Sequence, residues 1–470
     1  MTCVLVVWCV LQTRTVPAVW RKTKGGSFVF KPSRYNVIFR DGDYVVFVNF
    51  LTRAIARLEK SKAEIAEKIL KDPDEEIPEE WLSIKKDLIY GGYIVDEDFD
   101  EIEHLKLMNR MTRYDSSSVM VTIIPTLACN FDCIYCYESK TGPSMTAKTA
   151  ERIVEYLKRL IRTRRSISVG WFGGEPLLCF DVVKFVNSSL IEACRENNVD
   201  FHSSMSTNGY LLDKEKAEWF DRLEIRNVQI TIDGPEDVHN KYRPLKGGKG
   251  TFDTIVENLE NLFRVTEKLQ VTFRMNVGPD NFHRVEEFLN VLERFPKDRT
   301  RVYFRWIFGS NSREFFFRKV YEIRDRESLN ILNFYESAAK RGFNVFLPVL
   351  VQNRYCEYDC VSSVVIGPQG ELYPCTVRVG KGMEIGRLTN RGLEYDRKKY
   401  LRWHSFDAFE SEECMRCKLL PVCMGGCRSA RFDGKTGCPE EKKDPEKFAR
   451  EWYRIKLLER QVERHEAFEI

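Results

Sequence analysis

The residues with the clearest chemistry in this 470-residue chain are three cysteines on one short segment, Cys129-x3-Cys133-x2-Cys136. Thiolates this close together on one loop can each hold an iron of a single cubane cluster. A [4Fe–4S] cluster takes four Cys ligands, so three local ones leave one iron open for a substrate or cofactor. The alternative is a zinc loop, although tetrahedral zinc asks for a fourth ligand nearby. A second set comes much later: Cys356, Cys360, Cys375, Cys414, Cys417, Cys423, Cys427 and Cys438. It reads as a metal-binding set, for which two zinc sites of a structural ribbon are the plain alternative. The two sets use 11 of the 15 cysteines and leave Cys3, Cys9, Cys179 and Cys194. Cys179 and Cys194 sit among apolar residues of a helical stretch and read as core. This usage favours a reducing cytoplasm over a disulfide framework.

The surrounding pattern says what must position these thiols. From residue 119, short β-branched runs alternate with amphipathic helical stretches. The runs are 119–124, 167–172, 201–206, 228–232, 271–277 and 302–307; the helices are 146–162, 182–197, 213–220, 251–265, 284–292 and 328–340. Six strand–helix units in series predict parallel strands with right-handed crossovers. Six fall short of a closed eight-unit barrel, so the fold class is α/β, an open, partial (β/α)6 TIM-like barrel. Such barrels carry their chemistry at the C-terminal strand ends, and the first cysteine segment directly follows the first strand. Residues 346–437 are poor in regular pattern and dense in Cys, Gly and Pro, so metals rather than an apolar core are expected to hold them together. A charged helix over 441–465 is expected to be solvated. Lys and Arg number 74 against 70 Asp and Glu, a net +4, which argues against a dedicated nucleic-acid binder. No apolar run is long enough for a membrane-spanning helix. Residues 1–20 lack the basic start and cleavage site of a secretory signal, so 1–27 read as a mis-assigned start or a disordered extension.

The cysteine segment, with Tyr135 before its last Cys and a place on the first loop of a partial barrel, resembles that of the radical S-adenosylmethionine (SAM) enzymes. Two further strand ends match. Trp171-Phe172-Gly173-Gly174-Glu175-Pro176 resembles the family's Gly-Gly-Glu-Pro segment. The resemblance implies that it holds the SAM amino group, where a carboxylate suits an ammonium and glycines allow close backbone approach. Ser206-Thr207-Asn208-Gly209 resembles the segment that meets the SAM ribose and carboxylate. Asp233-Gly234-Pro235, His239 and Arg243-Pro244 at the fourth strand end are also family-like. Any one of these is an ordinary loop; four in order, each at a strand end, are specific. The resemblance implies that Cys129, Cys133 and Cys136 hold the catalytic cluster. It also implies that Tyr135, Gly173, Gly174, Glu175, Pro176, Ser206, Asn208 and Asp233 surround SAM. Reductive cleavage of SAM would then give a 5′-deoxyadenosyl radical that abstracts a substrate hydrogen.

The later cysteines, Cys360-x9-Gly370-x4-Cys375 and then Cys414-x2-Cys417-x5-Cys423-x3-Cys427 and Cys438, resemble the iron–sulfur SPASM domain. By that resemblance Cys356, Cys360, Cys375 and Cys427 hold one auxiliary [4Fe–4S] cluster, and Cys414, Cys417, Cys423 and Cys438 hold the other. Cys356-x13-Gly370 fits the spacing as well as Cys360 does, so the first cluster has either four protein thiolates or three and an open iron. Residues 28–115 form a unit of their own. Strands at 35–39 and 44–48 flank Asp41-Gly42-Asp43, a helix is expected over 51–70 and another over 81–89, and a short strand over 93–95. This winged-helix-like domain resembles the leader-recognition element of ribosomal-peptide maturases, where a leader joins a sheet edge; the 44–48 strand is the expected edge. A plain oligomerisation domain is the other reading. The expected order is therefore extension 1–27, recognition domain 28–115, barrel 116–345, SPASM domain 346–440 and C-terminal helix 441–470. Expected partners are a peptide or protein substrate with a leader segment and an electron donor such as ferredoxin or flavodoxin. The reaction implied is a thioether or carbon–carbon crosslink or an epimerisation. The runner-up is the anaerobic sulfatase maturases, which make formylglycine and carry an Asp after one SPASM cysteine; here Thr376 follows Cys375. A non-catalytic multi-cluster electron carrier is a third reading, which leaves the Gly-Gly-Glu-Pro and Ser-Thr-Asn segments unexplained.

Overall fold

The computed structural model describes residues 6–8, 29–138, 140, 142–307, 314–327, 331–345, 353–380, 382–438 and 444–466. The remainder of the 1–27 extension, with Cys3 and Cys9, lies outside the described residues, as do the starts of the 328–340, 346–440 and 441–465 stretches.

The parallel strands form where the β-branched runs predicted them: Ser118–Ile123, Ser166–Trp171, Asp200–Thr207, Ile225–Thr231, Gln270–Val277 and Thr300–Trp306. They pair in that order, with the short Asn344–Val345 at the far edge. The helices between them start where side chains cap free backbone N–H groups. Thr146 accepts from Thr149 N ahead of Ala147–Ile161, and Asp213 accepts from Lys216 N ahead of Lys214–Arg222. Ile153, Leu157 and Ile161 on the first of these helices are buried against the sheet.

The sheet does not stop at its first strand. Ser363–Ile366 pairs parallel to Ser118–Ile123, and three antiparallel strands, Glu371–Tyr373, Gly386–Thr389 and Gly392–Tyr395, continue from it. Val364, Ile366, Leu372, Ile385 and Leu388 enter the same core as the barrel. The expectation that metals alone organise this region is therefore corrected: its front half is a sheet extension with an apolar core.

Two other expectations change. The 51–70 helix gives up its first half to a strand, Ile55–Glu59, and the helix is Lys60–Lys71. The cause is a turn: Asn49 Oδ1 accepts from Leu51 N and Thr52 N, both at 2.9 Å, and Arg53 takes a left-handed φ of 63°. The chain then returns antiparallel along Tyr44–Asn49, pairing Val48 with Ile55 and Tyr44 with Glu59. The strand expected at the sheet edge thus lies inside the sheet, between Asn36–Asp41 and Ile55–Glu59, and Val6–Trp8 pairs with the outer side of Ile55–Glu59. The C-terminal helix, Pro445–Glu466, is not a solvated rod. Phe448, Ala449, Trp452, Tyr453 and Ile455 are buried, and Trp452 stacks on Phe50 with centroids 6.2 Å apart. Each such aromatic stabilises the fold by about 1.5–3 kcal/mol.

Candidate active site

The loop after the first barrel strand is stitched to its neighbours through the backbone. Asp132 N donates to Pro244 O (2.8 Å) and Ile134 N to Tyr242 O (3.0 Å). Phe131 is fully buried beneath the loop, edge-on to Tyr210. This anchoring turns Cys129, Cys133 and Cys136 into one cavity that is partly open to solvent. Burial pushes the Cys129 and Cys133 thiols up to about 11 and raises that of Cys136 as well. Thiols that are hard to ionise alone become ligands when a metal centre displaces their protons. Phe131 N (3.4 Å) and Asn208 Nδ2 (3.8 Å) already donate towards Cys129 Sγ, as N–H groups do to cluster sulfurs. Three partly buried thiols on one cavity wall fit a cubane centre with one open corner.

The glycines meet this loop at close range. Gly174 N donates to Thr126 O (3.1 Å) and Glu175 N to Ala128 O (3.0 Å). A Cβ on Gly174 would sit 2.3 Å from Ala128 O, and Gly173 holds a φ of +121°. No other residue type fits there. Gly173, Gly174, Ser206 and Asn208 all line the cavity.

Glu175 also makes contacts within the protein that its sequence position did not indicate. Its carboxylate is fully buried: Oε1 accepts from Leu177 N (3.0 Å) and Thr207 Oγ1 (2.7 Å), and Oε2 from Asn208 N (2.8 Å). Those oxygens bind the second strand end to the third, and Glu175 and Pro176 are absent from the cavity wall. Asp233 is likewise buried and off the wall, accepting from the Tyr135 hydroxyl and from Asn276 N (2.8 Å). Arg243 Nη1 (2.8 Å) and Asn276 Nδ2 (3.0 Å) both donate to the same Tyr135 oxygen. Burial weighs against the charge on Arg243, but Tyr135, Cys133 and Asp233 around it hold the guanidinium protonated. His239, buried between Asp233 N and Thr251 Oγ1, is kept neutral by burial and by Arg243. Arg274 and Asn276, on the cavity wall at the fifth strand end, were not singled out from the sequence. Their signal was a cation and an amide at the C-terminal end of a strand, QVTFRMNV.

The later cysteines lie on two adjacent patches. A fully buried ion pair, Arg428 Nε to Asp359 Oδ1 at 2.8 Å, holds the 356–360 turn against the helix that follows Cys427. Burial, with the neighbouring Cys427, pushes Cys375 up to about 12, and burial raises Cys356, near Cys375, well above the usual thiol range. Cys360 Sγ instead faces Arg354 Nη1 and Thr112 O, each at 3.4 Å. In the second patch, burial raises Cys438, with Cys423 and Cys414 among its charge neighbours. Cys427 N donates to Gly437 O (2.9 Å), so the residue before Cys438 lies against Cys427 and the two patches meet there. Among the described residues no three His, Cys, Asp or Glu side chains converge as ligands of one ion.

Residues 123–292 match the Radical SAM superfamily, and this stretch of the chain is a radical SAM domain. Domains of that superfamily use a [4Fe–4S] cluster and S-adenosylmethionine. An uncharacterized protein of Methanocaldococcus jannaschii is 32% identical over 176 residues, covering 36% of this chain and 57% of that protein. The chain thus spans less than two thirds of that relative. A cysteine-type anaerobic sulfatase-maturating enzyme of Clostridium novyi is 23% identical over 328 residues, covering 64% of this chain and 85% of its own. In fold, the chain is similar to Streptococcus suis SuiB bound to its precursor peptide SuiA. The TM-score is 0.50 at 16% identity, and the likeness covers 89% of this chain and 99% of SuiB. No helix among the described residues is long and apolar enough to cross a membrane.

Proposed function

We propose that the protein is a radical SAM peptide maturase that installs a crosslink in a peptide substrate. The observation that carries this is the single cavity where Cys129, Cys133 and Cys136 face the Gly173-Gly174 backbone, Ser206 and Asn208. A [4Fe–4S] cluster with SAM supplies one-electron C–S cleavage and hydrogen abstraction. The chain supplies the rest. Gly173 and Gly174 leave backbone accessible to an ammonium, Arg243 and Asn208 present donors to carboxylate and ribose oxygens, and Phe131, Phe172 and Ile307 restrict water. Cys356, Cys375 and Cys427, with Cys360 as a candidate fourth ligand, form the first auxiliary site, and Cys414, Cys417, Cys423 and Cys438 the second. Support for a peptide substrate comes from the likeness to SuiB, which reaches across the N-terminal domain as well as the barrel. The likeness to a sulfatase-maturating enzyme supports formylglycine formation as the second reading, although Thr376 stands where that branch carries its Asp.

The test is anaerobic reconstitution, iron counting and mass spectrometry for 5′-deoxyadenosine with SAM and dithionite. About twelve irons per chain with 5′-deoxyadenosine formed is the expected result; clusters without cleavage would overturn the reading in favour of an electron carrier. An aldehyde formed on a sulfatase-derived Cys or Ser peptide would move the assignment to the second reading.

A further inference from the structure

Two neighbouring helices expose an unusual combination of side chains. Glu101–Tyr114 buries Leu105, Asn109 and Arg113 and turns Leu107 (58% exposed), Met111 (60%) and Tyr114 (55%) to solvent. Arg397–His404 buries only Trp403 and exposes Arg397, Lys398, Leu401 and Arg402, with Leu401 63% exposed. The helices are joined: Arg113 Nη2 donates to His404 O (2.9 Å), and Arg110 pairs with Asp407 (3.2 Å). Among the described residues neither Arg397 nor Lys398 meets a carboxylate. Leu401 exposed among Arg397, Lys398 and Arg402 on its own helix, with Leu107, Met111 and Tyr114 exposed on the joined one, marks an interaction surface rather than a solvated one.

What lies beneath gives the surface a purpose. Trp403 Nε1 donates to Tyr358 O (3.2 Å), inside the turn between Cys356 and Cys360. Cys360 Sγ touches Thr112 O (3.4 Å) on the other helix. Trp403 packs on Phe432 (centroids 5.9 Å), at the end of the helix that begins after Cys427. The basic face is therefore about one side chain thick above the first auxiliary cysteine site.

We propose that the 397–404 helix, with Leu107, Met111 and Tyr114 beside it, docks an acidic one-electron carrier protein over the Cys356, Cys375 and Cys427 site. The inference rests on reading those cysteines as cluster ligands. The carrier is oxidised by one electron, the protein is reduced by one, and no proton or group is transferred. A small, cation-rimmed apolar patch suits the brief, charge-steered encounters by which electron carriers dock.

The experiment uses the full reconstituted chain and an acidic flavodoxin as probe. Binding of oxidised flavodoxin is measured by calorimetry at low and high salt. 5′-Deoxyadenosine formation is then followed with reduced flavodoxin and, separately, with dithionite. The variants are R397E/K398E and the milder R397Q/K398Q, on exposed positions where folding is little affected. Expected are a loss of roughly tenfold or more in flavodoxin affinity and flavodoxin-driven rate at low salt, fading at high salt. The dithionite-driven rate stays unchanged. Wild-type flavodoxin affinity in R397E/K398E would overturn the proposal, as would an equal fall of the dithionite-driven rate. A dimer that R397E/K398E dissociates would also overturn it, assigning the face to a second copy of this chain. If dithionite drives no SAM cleavage in the wild type, the maturase reading fails. Flavodoxin binding and bleaching of the clusters still decide the docking claim.

Discussion

Replacing Glu175 with Gln separates two roles for the carboxylate. If it holds the strand ends together, as its three accepted hydrogen bonds indicate, the amide cannot reproduce them. Turned one way, its NH2 faces Leu177 N–H; turned the other, it faces Asn208 N–H. One buried backbone donor loses its acceptor in either case, at a cost of about 1–3 kcal/mol. The disturbance reaches the cavity through Asn208, whose Nδ2 donates to Asn130 Oδ1 (2.7 Å) beside Cys129. Anaerobic denaturant unfolding of reconstituted wild type and E175Q should show a loss of about 2 kcal/mol. Equilibrium dialysis should show SAM binding weakened by a smaller factor than in an Asn208→Ala variant. The opposite pattern, wild-type stability with SAM binding abolished, would refute the reasoning and make Glu175 a direct partner of the SAM ammonium. Unchanged values in both assays would mean that the three hydrogen bonds do not form.

Replacing Cys129, Cys133 and Cys136 together by Ala should abolish 5′-deoxyadenosine formation yet leave about eight irons per chain, counted by colorimetric assay; a fall to zero iron would contradict two auxiliary clusters. The cluster-free protein should carry a pH-dependent term from Glu138. Burial pushes its carboxyl up to about 7 against an ordinary 4.5, with Lys140 opposing. Because the folded value is the higher one, the stabilisation is complete below about 4.5 and is lost as pH rises through about 7. It amounts to at most about 3 kcal/mol. Urea unfolding of wild type and E138Q at pH 5 and 8 checks this: the gap between them must change by a large part of that amount.

The barrel was legible because its local signals agree with its tertiary role. Runs such as 119–123 are β-branched and apolar, and Thr146 and Asp213 mark helix starts by their own hydrogen bonds. The failures fall where a distant contact decides. Ile55–Glu59 precedes the helix-forming Lys60–Lys71 directly, and only the turn at Asn49 and pairing to Tyr44–Asn49 divide the two. The 441–465 helix reads as solvated from its charges, because Phe50, the partner of its Phe448 and Trp452, is some 400 positions away. Ser363–Ile366 is only four residues long, and what makes it a strand is the free edge of Ser118–Ile123.

The site was legible as a set of segments, and less so as individual roles. Each strand end that carries a motif touches the cysteine loop: Gly174 N on Thr126 O, Asn208 on Asn130, Tyr135 on Asp233, and Asp132 N on Pro244 O. The spacing of residues along the sequence reports that four loops must meet, since a loop that meets others needs glycines and polar termini. It does not report which atoms turn towards a ligand and which towards the next loop. Gly173 and Glu175 belong to one segment, yet the glycine faces the cavity and the carboxylate ties down its neighbour. The Glu175 carboxylate accepts from two backbone N–H groups and a hydroxyl, and that geometry becomes visible only once the strands are side by side.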